Sequence, residues 1–424
     1  MHQDGLVALL RDHAKRHAVP GAALGIVRDG MVTTACYGVA DVRTGEPVTP
    51  ETLFSLASLT KSMVATVVAR LEEQGRLSLG DPVAAHVPEL HGSAWARGAS
   101  VRDLLANRSG LPLRVGLEFD FDARKDEDDG ALSRLVADVA TDVPAGPFWS
   151  YTNLGWCVLG RVIETSTGVA WEEAMRRHLA DAGLRETTFG TGPTTGRRAS
   201  GHEGGVPVEP LVARAYGPAG ANAVSTVTDL LRFAAVHLKD RSLAPLREVH
   251  AQVQLPGWLD AWCLGWARFD WAGGPAWGWD GLVNGERSFL RILPDQRAAV
   301  VLMTNGSAGR AMYRSLFAEL MATSFGIRVP PLRLDASPGA AGDLSRFAGV
   351  YAWPDRRVEV AAAAGRLHIT SDEGETEAVP VDGRTFLVDA TDPDTPTVTF
   401  DAYDAAGRPR VLYLMIWALP RLDG

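Results

Sequence analysis

The chain has 424 residues, more than one ordinary hydrophobic core accommodates, so two domains are expected. Hydrophobic residues make up 46% of it and no apolar run approaches the roughly 18 residues of a membrane span, which points to a globular protein and excludes a membrane-spanning one. A formal net charge of −9 argues against nucleic acid or an anionic membrane surface as a partner.

The first residues, MHQDGLVALLRDHAKRH, hold no apolar signal core and no cleavage pattern, so a cytoplasmic protein is expected. Residues 5–18 read instead as an amphipathic helix ended by Pro20-Gly21. Ala22–Val27 and Met31–Val39 alternate like a hairpin about Asp29-Gly30. Next comes Ser55-Leu56-Ala57-Ser58-Leu59-Thr60-Lys61. From Thr60 to Gln74 there is no Gly or Pro, and Met63, Val64, Val67, Val68 and Leu71 have the spacing of a buried helical stripe. Gly75 supplies the stop. Ser58 then falls in the first turn, near unpaired backbone N–H groups and the positive end of the helix dipole. Lys61, three residues on, shares its face. A serine hydroxyl is a poor nucleophile until a base takes its proton. Lysine in an apolar wall can be that base, whereas arginine cannot. Lysine occurs only at positions 15, 61, 125 and 239 among 42 basic residues, so its presence here is informative. A capping serine followed by a solvated lysine would look the same, so the pair needs support from elsewhere.

Further on, Ser100 is placed to cap a short helix, Val101–Ala106. The acidic stretch 119–129, FDFDARKDEDD, reads as a solvated surface loop rather than a lid or cation site. Helices are expected at 130–140, 154–167, 171–180 and, with Asp229 near its start, at 226–238. Tyr151-Thr152-Asn153 sits in a turn before the apolar helix that opens at Leu154. Residues 258–279 carry Trp258, Trp262, Trp266, Trp271, Trp277 and Trp279, half of the chain's 12 tryptophans. Trp277 and Trp279 are assigned to an aromatic site wall and the others to sheet packing. Strands at 286–293 and 298–304 and a helix at 310–324 follow. Val329–Gly342, rich in Pro, Gly and Ala, reads as a linker. Beyond it, short strands at 349–352, 357–361, 366–369, 377–381, 385–388, 397–403 and 410–417 suggest a small antiparallel barrel. Cys36, Cys157 and Cys263 are odd in number and lie in apolar surroundings, so buried free thiols are expected. No His or Cys spacing suits a metal, and no cofactor is expected.

Ser58-x-x-Lys61, Tyr151-x-Asn153 and Trp277-Gly278-Trp279-Asp280-Gly281 stand in an order and spacing that resemble the serine β-lactamase and penicillin-binding-protein superfamily. Asn107–Pro112 and Ser225-Thr226 before Asp229-Leu230 add to the likeness, which covers roughly residues 5–325. It is strongest to the class C-like branch of esterases, D-amino-acid-specific peptidases and transacylases. The resemblance implies an α+β, transpeptidase-like fold: an antiparallel sheet flanked by terminal helices, with a helical insertion. Residues 1–328 would form this catalytic domain, 329–342 the linker and 343–424 a lipocalin-like barrel. It also implies that Tyr151 shares the proton with Lys61. Asn153 would hold Lys61 and the substrate, and the N–H groups of Ser58 and Leu282, just after Gly281, would form the oxyanion hole.

The third motif departs from the family pattern. Lys-Thr-Gly or His-x-Gly is usual there, and its cation reads a substrate carboxylate. Trp279 is neutral and offers one N–H and an apolar face. The expected function is therefore a serine hydrolase, esterase-like, acting through a Ser58 acyl-enzyme on an uncharged small-molecule ester, thioester or amide. The alternative is an acyltransferase passing the acyl group to an amine or alcohol. A D-amino-acid peptidase, a β-lactamase or a non-catalytic binding protein ranks lower. No G-x-S-x-G elbow, H-E-x-x-H or phosphate-cradling loop offers a rival chemistry.

Overall fold

The structure is a computed structural model, and its described residues are 2–111, 128–139, 148–190, 197–330, 334–337, 339–353, 356–388 and 397–422. Most of the acidic stretch 119–129, helix residue 140, Pro112, and parts of the expected linker lie outside them. Among the described residues no helix is long and apolar enough to cross a membrane.

The main sheet has eight strands, in the order 31–38, 21–28, 298–304, 286–293, 276–283, 267–269, 259–262 and 251–255. Strands β1 (Gly21–Arg28) and β2 (Met31–Gly38) form the expected hairpin. Asp29 and Gly30 both take positive φ, 51° and 84°, as a two-residue hairpin turn requires. Strands β7 (Ala251–Leu255), β8 (Leu259–Trp262), β9 (Ala267–Phe269), β10 (Ala276–Val283), β11 (Glu286–Leu293) and β12 (Ala298–Thr304) complete it. Every residue of β12, AAVVLMT, is buried, as its unbroken apolar run implies for a strand covered on both faces.

Helices cover the two faces. Among the described residues the five longest are α1 (Gln3–Arg16), α2 (Thr60–Glu73), α3 (Leu154–Thr167), α4 (Val227–Lys239) and α5 (Gly309–Phe325). Gly25 of β1 lets α4 approach, since a Cβ there would meet Leu231 at 2.6 Å and Val227 at 2.8 Å. Directly paired residues share a face. Gly25 pairs with Val301, Val301 with Leu290 and Leu290 with Trp279, so Trp279 points to the α4 face. Phe289 stacks on Tyr313 of α5, and its partner Asp280 therefore points to the opposite face. α1 is joined to α5 by His13, whose ring lies 2.8 Å from Ser315 Oγ and 3.0 Å from Glu319.

Two short ladders pair β3 (Phe54–Ser55) with β6 (Val224–Ser225) and β4 (His202–Glu203) with β5 (Val206–Pro207). The C-terminal strands form an eight-stranded antiparallel sheet that nearly closes into a barrel. They are β13 (Gly349–Trp353), β14 (Arg356–Ala363), β15 (Arg366–Ser371), β16 (Gly374–Pro380), β17 (Thr385–Leu387), β18 (Thr397–Tyr403), β19 (Pro409–Leu414) and β20 (Trp417–Pro420). Closure comes from a bridge between Tyr351 and Arg421. One sequence expectation is corrected here. The run 410–417 is not one strand. It reverses at Met415-Ile416, with Met415 in the left-handed region at φ 55°. No Gly, Pro, Asn or Asp marks that turn, so the sequence reads straight through it.

This turn grips the first part of the chain. Tyr151 N–H donates to Ile416 O at 3.1 Å, and Ala418 N–H donates to Ser150 Oγ at 3.1 Å. Tyr413 packs on Trp149 with ring centroids 6.3 Å apart. Ser150→Ala removes one of these acceptors and is expected to lower the unfolding free energy by about 1 kcal/mol, read from the denaturant midpoint at unchanged slope.

Candidate active site

Ser58 lies in a 3-10 turn, Ala57–Leu59, that leads straight into α2 at Thr60. Ala57 takes φ 43°, a conformation few non-glycine residues hold without outside support. That support is close packing. A Cβ on Gly281 of β10 would sit 2.0 Å from Leu56 O, and one on Gly220 would sit 2.0 Å from Ala57 O. Only glycine at both places lets the neighbouring backbones clamp the turn. Behind it, β11 holds both backbone groups of Ser55: its N–H donates to Glu286 Oε1 at 2.9 Å, and Ser288 Oγ–H donates to its carbonyl at 2.6 Å. Burial pushes the Glu286 carboxyl above its ordinary range, against the pull of Arg198 at 3.6 Å.

Lys61 is fully buried on the first turn of α2. Its Nζ lies 3.1 Å from Ser58 Oγ, and it donates to Asn153 Oδ1 at 2.9 Å and to Ala219 O at 2.7 Å. The last two partners are pure acceptors, so they occupy two of its hydrogens. The third direction faces the Ser58 hydroxyl, and a neutral amine would present its lone pair there. Asn153 holds the N-terminal position of α3 but makes no capping bond with its side chain, which serves Lys61 instead. Asn107, in the left-handed region that asparagine tolerates, accepts from Ser150 N–H at 2.9 Å and so fixes the approach to Tyr151.

The Tyr151 ring lies 4.9 Å from Lys61 Nζ and packs beside Trp279 (5.5 Å) and Trp262 (6.2 Å). Trp279 Nε1–H donates to Tyr151 Oη at 3.3 Å. The indole thus supplies a neutral donor to the Tyr151 oxygen. Leu282 is 37% exposed and lines the cavity beside Ser58.

These groups open onto a cavity of about 440 Å³. The fold brings Ser58, Tyr151, Asn153, Trp279 and Leu282 to its wall, with Lys61 and Gly281 directly behind. Two sequence assignments change. Trp277 is not in the wall: two residues along β10 it lies where β9 still pairs, and its Nε1–H donates to Arg247 O at 3.1 Å. Trp258, assigned to packing, does line the cavity. Ile416 and Trp417 of the barrel turn, with Leu211 and Tyr216, also line it and were missed. Their apolar character gives no local signal, because it is equally the character of core residues. Arg287, paired with Leu282 across β10–β11, sits at the rim with its guanidinium turned to Val283 O and Glu286 O.

Competing nucleophiles are quiet. Cys36, Cys157 and Cys263 are free, Cys36 only half-buried, and burial pushes the Cys36 thiol up to about 11 and Cys263 up to about 12. Among the described residues no cluster of His, Cys, Asp or Glu could hold a metal ion.

The chain can now be set beside known proteins. The Beta-lactamase family model matches residues 6–322. "Penicillin-binding protein 4" of Amycolatopsis lactamdurans is 32% identical over 363 residues, which cover 79% of this chain and 93% of its own. The crystal structure of SurE is 29% identical, covers 99% of both chains and superposes with a TM-score of 0.82; a second SurE structure holds D-Leu. D-amino acid amidase from Ochrobactrum anthropi SV3, complexed with L-phenylalanine amide, is 25% identical over 71% of this chain and 90% of its own, with a TM-score of 0.59. Motif order, site geometry and likeness along the chain agree, and the protein belongs to the serine β-lactamase and penicillin-binding-protein family, whose enzymes work through an acylated serine.

Proposed function

We propose that the protein hydrolyses an uncharged ester, thioester or amide of a small molecule through an acyl-enzyme on Ser58. The observation that carries this reading is the convergence of Lys61, Asn153 and Tyr151 on Ser58 beside a neutral indole. Ser58 Oγ attacks the carbonyl carbon, and its proton passes to Lys61 Nζ as the new bond forms. The backbone N–H groups of Ser58 and Leu282 take up the charge on the carbonyl oxygen; such a pair contributes several kcal/mol in acyl transfer. Tyr151 gives its phenolic proton to the leaving oxygen, sulfur or nitrogen and regains one from Lys61. Water then attacks the acyl carbon, loses a proton to the same pair, and Ser58 Oγ leaves with a proton restored.

Two neighbours refine the acyl group. SurE binds D-Leu, and the amidase is named for D-amino acids. Their likeness, with a cavity wall of Leu211, Trp258, Ile416 and Trp417, supports an apolar acyl residue of D configuration. That wall also favours a second reading, transfer to an amine or alcohol, because an apolar enclosure hinders water at the acyl carbon.

Fluorophosphonate labelling followed by intact-mass spectrometry should give one adduct, absent in Ser58→Ala. Lys61→Met and Tyr151→Phe should lower kcat on a p-nitrophenyl ester by about 10²–10⁴-fold with the melting temperature little changed. An adduct that persists in Ser58→Ala places the nucleophile elsewhere.

Short p-nitrophenyl esters should turn over at least about a hundredfold faster than penicillin, and Trp279→Lys should narrow that gap by offering a carboxylate a cation worth about 1.5–3 kcal/mol. The opposite ranking in the unaltered protein overturns the uncharged-substrate reading. The p-nitrophenyl ester of N-acetyl-D-leucine should react faster than its L isomer. Product analysis with an added amine tells transfer from hydrolysis: an amide product that grows with amine concentration supports transfer.

A further inference from the structure

A second cavity, of about 300 Å³, lies on the α5 face of the sheet. Both cavities fall in or near the range of small-ligand sites, roughly 300–1,000 Å³. They share two wall residues, Trp258 and Asp280. The reason they meet is the length of β9. It pairs with β10 only at Ala276–Gly278, so from Trp279 onward that side of β10 carries no β9 neighbour. Trp279 points to the catalytic face and Asp280 to the α5 face. A chain lying along this edge would pass from one cavity to the other.

The charged groups in the second cavity's wall are Asp260, Asp280, Arg291, Arg310 and Arg314, and Asp260 accepts from Asp270 N–H at 2.7 Å. Arg291, fully buried, lies 2.7 Å from Asp280 and donates to Leu290 O at 2.9 Å, with its guanidinium 3.9 Å from the centre of the Phe269 ring. Burial opposes its charge, yet the Asp280 carboxylate holds its pKa above the ordinary value. Arg310 lies 3.8 Å over the Trp258 ring and donates to Gly257 O at 3.2 Å. Beside these groups the wall offers ring surface from Trp258, Phe269, Trp271 and Tyr313 and aliphatic surface from Leu255 and Val329. Such a wall suits a flat, apolar group more than a free anion.

We propose that this cavity is a distal subsite for the acyl donor, holding an apolar or aromatic unit joined to the residue presented to Ser58. The substrate is then an extended, at least two-unit acyl chain rather than a simple short ester. The inference rests on the Ser58 acyl-enzyme reading above and deepens it.

The test compares two p-nitrophenyl esters, of N-acetyl-D-leucine and of N-(3-phenylpropanoyl)-D-leucine, on the full chain. The added ring should raise kcat/KM about tenfold. Trp271→Ala, which removes wall surface, and Val329→Trp, which fills the cavity from its rim, should each reduce that gain to less than about twofold. Both should leave the N-acetyl ester unchanged, with folding checked by melting temperature. No gain in the unaltered protein, or a gain that survives Val329→Trp, overturns the distal subsite. If the N-acetyl ester acylates Ser58 normally in that case, the functional reading stands. If neither ester acylates Ser58, both fall together.

Discussion

The site depends on where the hydrogens of one buried amine point. Lys61 has no water to turn to, so its N–H groups must find protein acceptors. Asn153 Oδ1 and the Ala219 carbonyl take two of them, from α3 and from the turn before Gly220. That leaves one direction, and it is aimed at Ser58. Three separate segments therefore have to be in place before the lysine can act as a base. The arrangement is rigid because each partner is itself fixed: Asn153 by the start of α3, Ala219 by the close contact of Gly220 with the Ser58 turn.

The same tightness explains the backbone around the nucleophile. Ala57 is held left-handed, at a cost of order 1–3 kcal/mol, by two glycines whose missing side chains let the chain close in from both sides. β11 adds a grip on Ser55 through Glu286 and Ser288. Glu286 is kept buried for this contact although burial disfavours its charge. The outcome is a serine whose position is set by neighbours from three parts of the chain. Precision of this kind is what acyl transfer needs, since misplacement by about 1 Å is costly in rate.

Trp279 gives the cavity wall a neutral partner for Tyr151. It donates a hydrogen bond to Tyr151 and brings no charge to the cavity wall. The barrel acts in the same direction. Its β19–β20 turn bonds to the backbone of Tyr151 and places Ile416 and Trp417 in the wall. The C-terminal strands are thus part of the cavity wall, not merely attached to the fold that carries it. On the opposite face of β10, Asp280 pairs with Arg291 of β11, so the strand separates this ion pair from the side that carries Trp279.

Much of this could be read in the sequence, and the reason is local. The α2 stripe, the Asp29-Gly30 turn, the Ser100 cap, and strands β11 and β12 are written in periodicity and punctuation, which act over a few residues. The spacing of Ser58 and Lys61 on one helix face is of the same kind. What lay beyond the sequence involves contacts between distant segments. The reversal at Met415-Ile416 carries no turn residue, because tertiary hydrogen bonds to Ser150 and Tyr151 hold it rather than its own chemistry. Trp258 and Trp277 are alike as residues, yet Trp258 falls in the β7–β8 turn beside the cavity and Trp277 where β9 still pairs with β10. The identity of the candidate groups, Ser58, Lys61 and Tyr151, was thus legible in the sequence alone. Their convergence, the wall that surrounds them, and the neutral partner of Tyr151 were decided by packing, where burial leaves each polar group few places to turn.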